Sequence, residues 1–333
     1  MKSTLLGAAA ALAMISAGAA VHAADYPTKD LQGVIMWGAG GATDTVARAI
    51  TPVVEPLLGQ QIVLVNKSGG SGAISTAFVA GRPADGYTLL YGAENPQLHK
   101  VLEIAQTDYA DFYPVNVLAR GIAVIVANND TPWKSMKDLV ADAQKRPGEI
   151  KMGSTGPGGL PHVVGALVKT VTDFKVTSVP FDGEGPGITA LLGGHVDFMP
   201  AGLSAASEHI KAGRVRVLAV VNNTEIAALP GVPPITADFP GFGKYLPWGP
   251  FYGVFVSRDV PDAAKAKLVE AFKQGAATPK FVELMEGRGN IMMNIAGDEA
   301  DAFLKKWQST TTWVLHAAEA TKASPEKFGI PKP

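Results

Sequence analysis

Apolar residues arrive in short bursts along this chain, and between the bursts they follow a helical rhythm. The runs Leu31–Met36, Gln61–Asn66 and Tyr87–Tyr91 have the length and apolar content of strands. Thr43–Leu58 and Ala73–Gly81 between them read as helices. This βαβαβ order predicts a mostly parallel sheet with helices on its faces. After an interruption the alternation resumes. Strands are expected at Ile122–Ala127, Ile150–Gly153, Val176–Val179, Val196–Met199 and Val215–Val221. The matching helices are Ser135–Lys145, Leu160–Val171, Gly187–Gly193 and Ser204–Ala212. Asp262–Gly275, Thr278–Arg288 and Asp298–Ala320 are helices that close the chain.

Two α/β domains fit 333 residues better than one sheet of so many strands. Pro and Gly mark where the chain crosses between them. One crossing falls near Val115–Ala127, the other in the loop-like stretch LPGVPPITADFPGFGKYLPWGPFYG, Leu229–Gly253. The C-terminal helices are expected to pack back on the first domain. Domain 1 is then residues 24–122 plus 243–333 and domain 2 is 123–242, with a hinge and a cleft between them.

The N-terminus changes the setting. Met1-Lys2, an Ala/Gly/Leu-rich run through Val21, and Val21-His22-Ala23 form the three parts of a secretory signal peptide. Residues 1–23 are therefore expected to be removed and the mature protein to be periplasmic. No later run reaches the roughly 18 apolar residues that a membrane span needs. The chain has 29 basic and 30 acidic residues, and losing Lys2 takes the net charge from −1 to −2. That balance gives no electrostatic footprint for nucleic acid. With no cysteine at all, thiol chemistry and Cys-ligated metal sites are excluded. A monomer without metal or cofactor is expected.

Three glycine-rich loops each lead from a strand end into a helix: WGAGGATD (37–44), GSTGPGGLPH (153–162) and PFDGEGPG (180–187). In open α/β sheets such loops lie at the carboxyl ends of strands, where ligands bind. Glycine lets backbone N–H groups approach a ligand, and the helix N-terminus adds partial positive charge. A carboxylate can thus be held by amides and hydroxyls, which explains an anion-shaped loop with no Lys or Arg before Arg48. The residues placed at the ligand are Trp37, Gly38, Ala39, Gly40, Gly41, Thr43 and Asp44 from the first loop. The second supplies Ser154, Thr155, Gly158, Gly159 and His162, and the third Phe181, Asp182 and Gly183.

Catalytic patterns are missing. GAGGAT lacks the last glycine of a dinucleotide fingerprint, and QIVLVNKSG ends in Asn66-Lys67 rather than an acidic ribose ligand. GGSGA around Ser71 lacks the final glycine of a nucleophile elbow. The five mature histidines show no H-E-x-x-H spacing. Binding is favoured over catalysis. The alternatives are a ligand-sensing subunit for a membrane histidine kinase and, less favoured, a periplasmic α/β hydrolase or lyase.

Six motifs in order carry a resemblance: AGGATDTVAR (39–48), GQQIVLVNKSGGSG (59–72), ADGYTLL (84–90), GSTGPGGLPH (153–162), ITALLGGHVDFM (188–199) and IKAGRVRVLAV (210–220). The chain resembles the extracytoplasmic solute-binding proteins of tripartite tricarboxylate transporters, the Bug family. The resemblance implies a two-domain flytrap fold that captures a small carboxylate. It also implies delivery to a permease of one large and one small integral membrane subunit. In that family the loops matching Met36–Asp44 and Gly153–His162 supply most ligand contacts, largely through amides and ordered water.

Three departures bear on the ligand. The family's usual V-P-F is Ile35-Met36-Trp37 here, which puts a larger ring at the cleft, where it floors the ligand or packs as core. A usual Ser or Thr is replaced by Gly159. The third loop reads Phe181-Asp182-Gly183-Glu184, and two carboxylates would repel a tricarboxylate. Either those side chains turn to solvent, the reading preferred, or the ligand carries few charges. The departures together favour an aromatic or medium-chain carboxylate.

Overall fold

The structure is a computed structural model that describes residues 26–333; the expected signal peptide lies outside the described residues. Its strands are β1 (Leu31–Ile35), β2 (Ile62–Asn66), β3 (Thr88–Gly92), β4 (Phe112–Arg120), β5 (Ala123–Asn128), β6 (Lys151–Ser154), β7 (Thr177–Pro180), β8 (Phe198–Gly202), β9 (Val215–Val220), β10 (Phe251–Ser257) and β11 (Ile291–Ile295). The α-helices are α1 (Ala42–Leu58), α2 (Ala73–Ala80), α3 (Met136–Lys145), α4 (Leu160–Lys169), α5 (Glu184–Leu192), α6 (Leu203–Lys211), α7 (Ile235–Asp238), α8 (Asp262–Ala276), α9 (Pro279–Glu286) and α10 (Gly297–Ala317).

Two sheets result. The first has six strands in the order β11-β4-β10-β3-β1-β2 and the second five, in the order β7-β6-β8-β5-β9. The α/β class is as expected, but mostly parallel sheets are not what forms. Parallel pairing is confined to β2-β1-β3 and β7-β6-β8, while antiparallel strands complete each sheet. The difference arises in segments with no clear period. The interruption before Ile122 contains the nine-residue strand β4. The stretch read as loop to Gly253 contains the start of β10, and β11 follows α9. β4 and β10 are covered on both faces and so lack the alternation that marks a half-exposed strand. Pro114 in β4 pairs with Phe255 beside a register shift, where a missing N–H costs the ladder least.

The first sheet positions the site. In β1, Val34 and Ile35 are fully enclosed, and both neighbours are parallel, so the carboxyl ends of β1, β2 and β3 emerge on one edge. α1 then buries Val46, Ile50, Val54 and Leu58 on one face. It ends where Gly59 adopts φ 70° and its N–H reaches the Glu55 carbonyl. Pro52 and Pro56 lie on the exposed face of α1, where water can take the carbonyls they leave unbonded.

The chain leaves the first sheet between β4 and β5 and returns before β10. These two crossings touch. The Gly121 N–H donates to the Pro250 carbonyl at 2.8 Å. A side chain at Gly249 would strike the Gly121 carbonyl.

Candidate functional site

The loops after β1 and after β7 meet face to face. The Gly38 N–H donates to the Asp182 carbonyl at 2.8 Å, a backbone bond from one sheet's loop to the other's. Glycine is needed on both sides of it. A Cβ at Gly38 would lie 2.9 Å from the Asp182 carbonyl oxygen, and one at Gly183, where φ is +140°, 2.9 Å from the Gly38 nitrogen. The glycines that the sequence suggested for a ligand thus also let the two halves close on each other.

Asp44 turns away from the opening. Its carboxylate accepts from the Gly40 N–H at 3.0 Å, from Arg48 Nε at 2.9 Å and from Asn66 Nδ2 at 2.9 Å. Burial alone would raise its pKa, but the Arg48 bond, then the Gly40 and Asn66 bonds, hold it below the usual carboxylate range. Asn66 also donates to the Trp37 carbonyl at 2.8 Å, so one amide ties β2 to the first loop.

The start of α1 faces a different carboxylate. Glu184, the first residue of α5, reaches across and accepts from the Ala42 N–H at 3.2 Å and from the Gly202 N–H at 2.6 Å. The residue keeps some open surface, but its carboxylate is enclosed, and burial pushes its pKa up against those two amides. The preferred reading, that this side chain turns to solvent, is not what the fold does. Gly202 and Gly121 make the room. A Cβ on Gly202 would lie 2.9 Å from the Tyr252 hydroxyl and 3.4 Å from Glu184 Oε1, and one on Gly121 2.6 Å from the same hydroxyl.

Around this point is a small inner cavity, about 20 Å³, lined by Trp37, Thr43, Glu94, Thr155, Glu184 and Tyr252 among others. That volume admits about one water. Glu94 is 3% exposed and its Oε2 has no hydrogen-bond partner; the Tyr252 hydroxyl, on a residue 2% exposed, has none either. Burial pushes Glu94 up to about 8; its own backbone N–H opposes this and the nearby Glu184 carboxylate adds to it. A wider outer cavity of about 600 Å³ opens beside it, lined by Gly69, Gly70, Ser71, Gly156, Phe181 and Asp182 with others. Trp37 and Thr155 line both. Ser71 holds a left-handed backbone at φ 52°, and its carbonyl lies 3.1 Å from His99 Nε2.

Among the residues named from sequence, Trp37, Gly41, Thr43 and Thr155 line the inner cavity, and Trp37, Thr155, Phe181 and Asp182 the outer one. Gly38, Ala39 and Gly183 lie instead at the contact between the loops. Gly40 serves Asp44. Ser154 Oγ accepts from the Gly156 N–H at 3.2 Å, and His162 Nδ1 accepts from the Gly158 N–H at 3.1 Å, so both brace the second loop. Burial, then Lys169, lowers the His162 pKa, in keeping with a neutral acceptor. Gly159 has no room for a Cβ because the Thr155 hydroxyl occupies that space. Glu94, Ser71, Pro250 and Tyr252 were not foreseen. Glu94 follows β3, whose end joins the same edge as β1, and that was a usable signal.

Two α/β halves, joined by paired crossings and closed over a cavity between them, define a solute-binding protein of the two-lobed type. Residues 46–310 match the tripartite tricarboxylate transporter family receptor, and the chain belongs to that family. Protein BugT of Bordetella pertussis is 31% identical over 314 residues, covering 87% of this chain and 94% of that protein. The structure of the periplasmic binding protein BugD superposes with a TM-score of 0.83 at 27% identity, covering 89% of this chain and 99% of that one. An R. palustris protein solved with adipate superposes at 0.81 and 27% identity, again covering 89% and 99%.

Proposed function

We propose that this protein is a periplasmic receptor that captures a small organic carboxylate and delivers it to a permease of one large and one small integral membrane subunit. The signal peptide, residues 1–23, would be removed on export, and the mature protein would act as a monomer without catalysis. Residues 24–122 with 243–333 form one lobe and 123–242 the other. The observation that carries this reading is the cleft, where Trp37 and Thr155 from opposite lobes line both cavities. Adipate in a 27%-identical relative supports a carboxylate as the cargo class. The hydroxyls of Ser71 and Thr155 offer donors to it without a formal cation.

Calorimetry against a panel of mono- and dicarboxylates, paired with solution scattering, tests the proposal. A binding acid should reduce the radius of gyration or hold the closed value. An empty panel, or turnover of any acid in it, would contradict capture.

A further inference from the structure

The inner cavity is built for a charge opposite to the one its family captures. One start-of-helix amide from each lobe, at Ala42 and at Gly202, is already engaged by the protein's own Glu184, which sets a carboxylate where a ligand carboxylate would otherwise dock. A second carboxylate, Glu94, faces the same cavity with Oε2 unpartnered, and the Tyr252 hydroxyl beside it is unpartnered as well. Both residues are at least nine-tenths buried. Buried polar atoms without partners are rare in folded proteins and point to a group that joins them, a water when the cleft is empty and a ligand group when it is filled. A ligand carboxylate placed here would be a third acid in one enclosed space. A donor group would instead satisfy Glu94 and Tyr252 and compensate the acids.

Size and direction narrow the class. The space fits a group about as large as one water, which is the size of an ammonium. Two carboxylates and a phenol are too few oxygens for a calcium cage, and among the described residues no group of three His, Asp or Glu is placed to hold a metal. Trp37 and Thr155 line both cavities, so a ligand whose head lies in the inner one leads outward past them. Its tail then reaches the outer cavity, where the Ser71 and Thr155 hydroxyls can donate to a carboxylate.

We propose that the inner cavity seats the ammonium of an amino-carboxylate between Glu94, Glu184 and Tyr252, with the carboxylate lying in the outer cavity. This rests on the reading of the cleft as a carboxylate-capture site, and makes the cargo a zwitterion rather than a dianion. Trp37 walls the passage between the two ends, and the indole face suits a short methylene chain with a cation at its end.

Calorimetry with three ligand series of matched length tests it: straight-chain dicarboxylates, the ω-amino acids of the same lengths, and the alkylamines. Wild-type protein should bind the amino acid at least about tenfold tighter than the matched dicarboxylate. Glu94→Gln should reduce that preference by about tenfold, because it keeps the shape but cannot release a proton to form the carboxylate that pairs with an ammonium. Tyr252→Phe, which removes only the hydroxyl, should reduce it several-fold and serves if the first variant does not fold. A dicarboxylate that binds as tightly as its amino partner would overturn the ammonium seat and leave carboxylate capture standing. So would an unchanged preference in both variants. Amines that bind where neither acid does would overturn capture and leave the seat. Binding by none of the three would overturn both.

Discussion

Two carboxylates flank the start of α1, and the fold drives them in opposite directions. Asp44, on the side away from the cleft, meets a guanidinium, an amide side chain and a backbone N–H, and is held below the usual range. Glu184, on the cleft side, meets only two backbone N–H groups and a second carboxylate, and is pushed above it. Both are sheltered from water. The difference is therefore one of partners: a cation and a full set of donors keep a carboxylate charged, and a neutral enclosure does not. The first face is finished by the protein itself. The second is left for something else to complete.

The largest test of this contrast is the pH dependence of stability through Glu94. Its value in the folded protein, about 8, lies above the ordinary 4.5, so the folded state holds a proton that the unfolded chain releases. The stabilising contribution is complete below 4.5 and is lost as pH rises through about 8, at up to about 1.4 kcal/mol per unit. Denaturant titrations should show stability falling by a few kcal/mol across that window, with Glu184 adding in the same direction. Glu94→Gln should flatten the profile; an equally steep fall in that variant would break the comparison on the cleft side.

Next in size is Glu184→Ala, which leaves the Ala42 and Gly202 amides unpaired and removes a link between the lobes. The Ala42 bond is the one of the two that crosses between the lobes, and its loss should cost about 1–3 kcal/mol of closure. Scattering of the unliganded variant should give a larger radius of gyration than wild type, and an unchanged profile would show that the remaining contacts between the lobes, the Gly38–Asp182 bond among them, suffice to close the cleft.

How much of this was legible in the sequence depends on what fixed each residue. β1, α1 and β2 were readable because an apolar run, a glycine turn and a helical stripe each obey one local rule. β10 was hidden because Trp248, Pro250 and Gly253 make its approach look like loop, although its central position depends on pairing with strands far away in sequence. Trp37 and Thr155 were found at the cavities through their glycine-rich loops. Glu94 was missed because it follows β3 with no glycine-rich loop to mark it. The direction of Glu184 was misjudged for a different reason. It is set by α5 beginning opposite α1, a tertiary fact that spacing along the chain does not contain.

On the far side of α1, Asp44→Ala should cost about 1–2 kcal/mol by leaving the Gly40 and Asn66 donors without an acceptor. The ion pair adds little to this, since the Arg48 side chain is 49% exposed. Because the Asp44 value is lowered, its contribution is present above the ordinary 3.8 and is lost as pH falls through the folded value, the reverse of Glu94. Acid titration of the variant should therefore be shallower than that of wild type. The smallest effect sharpens the ligand side: Thr155→Ala should weaken the best acid by about 1 kcal/mol in calorimetry, with no change in unfolding. Wild-type affinity in that variant would remove its hydroxyl from the site.

The most direct measurement is a carboxyl-carbon NMR titration of unliganded protein, with Glu94 and Asp44 assigned by their Gln and Asn variants. The account predicts that Glu94 loses its proton near pH 8 and Asp44 below 3.8, two carboxylates near the start of one helix separated by several units. Titration of both near the ordinary carboxylate value would contradict it, since the cleft side would then already be solvated or paired like the far side.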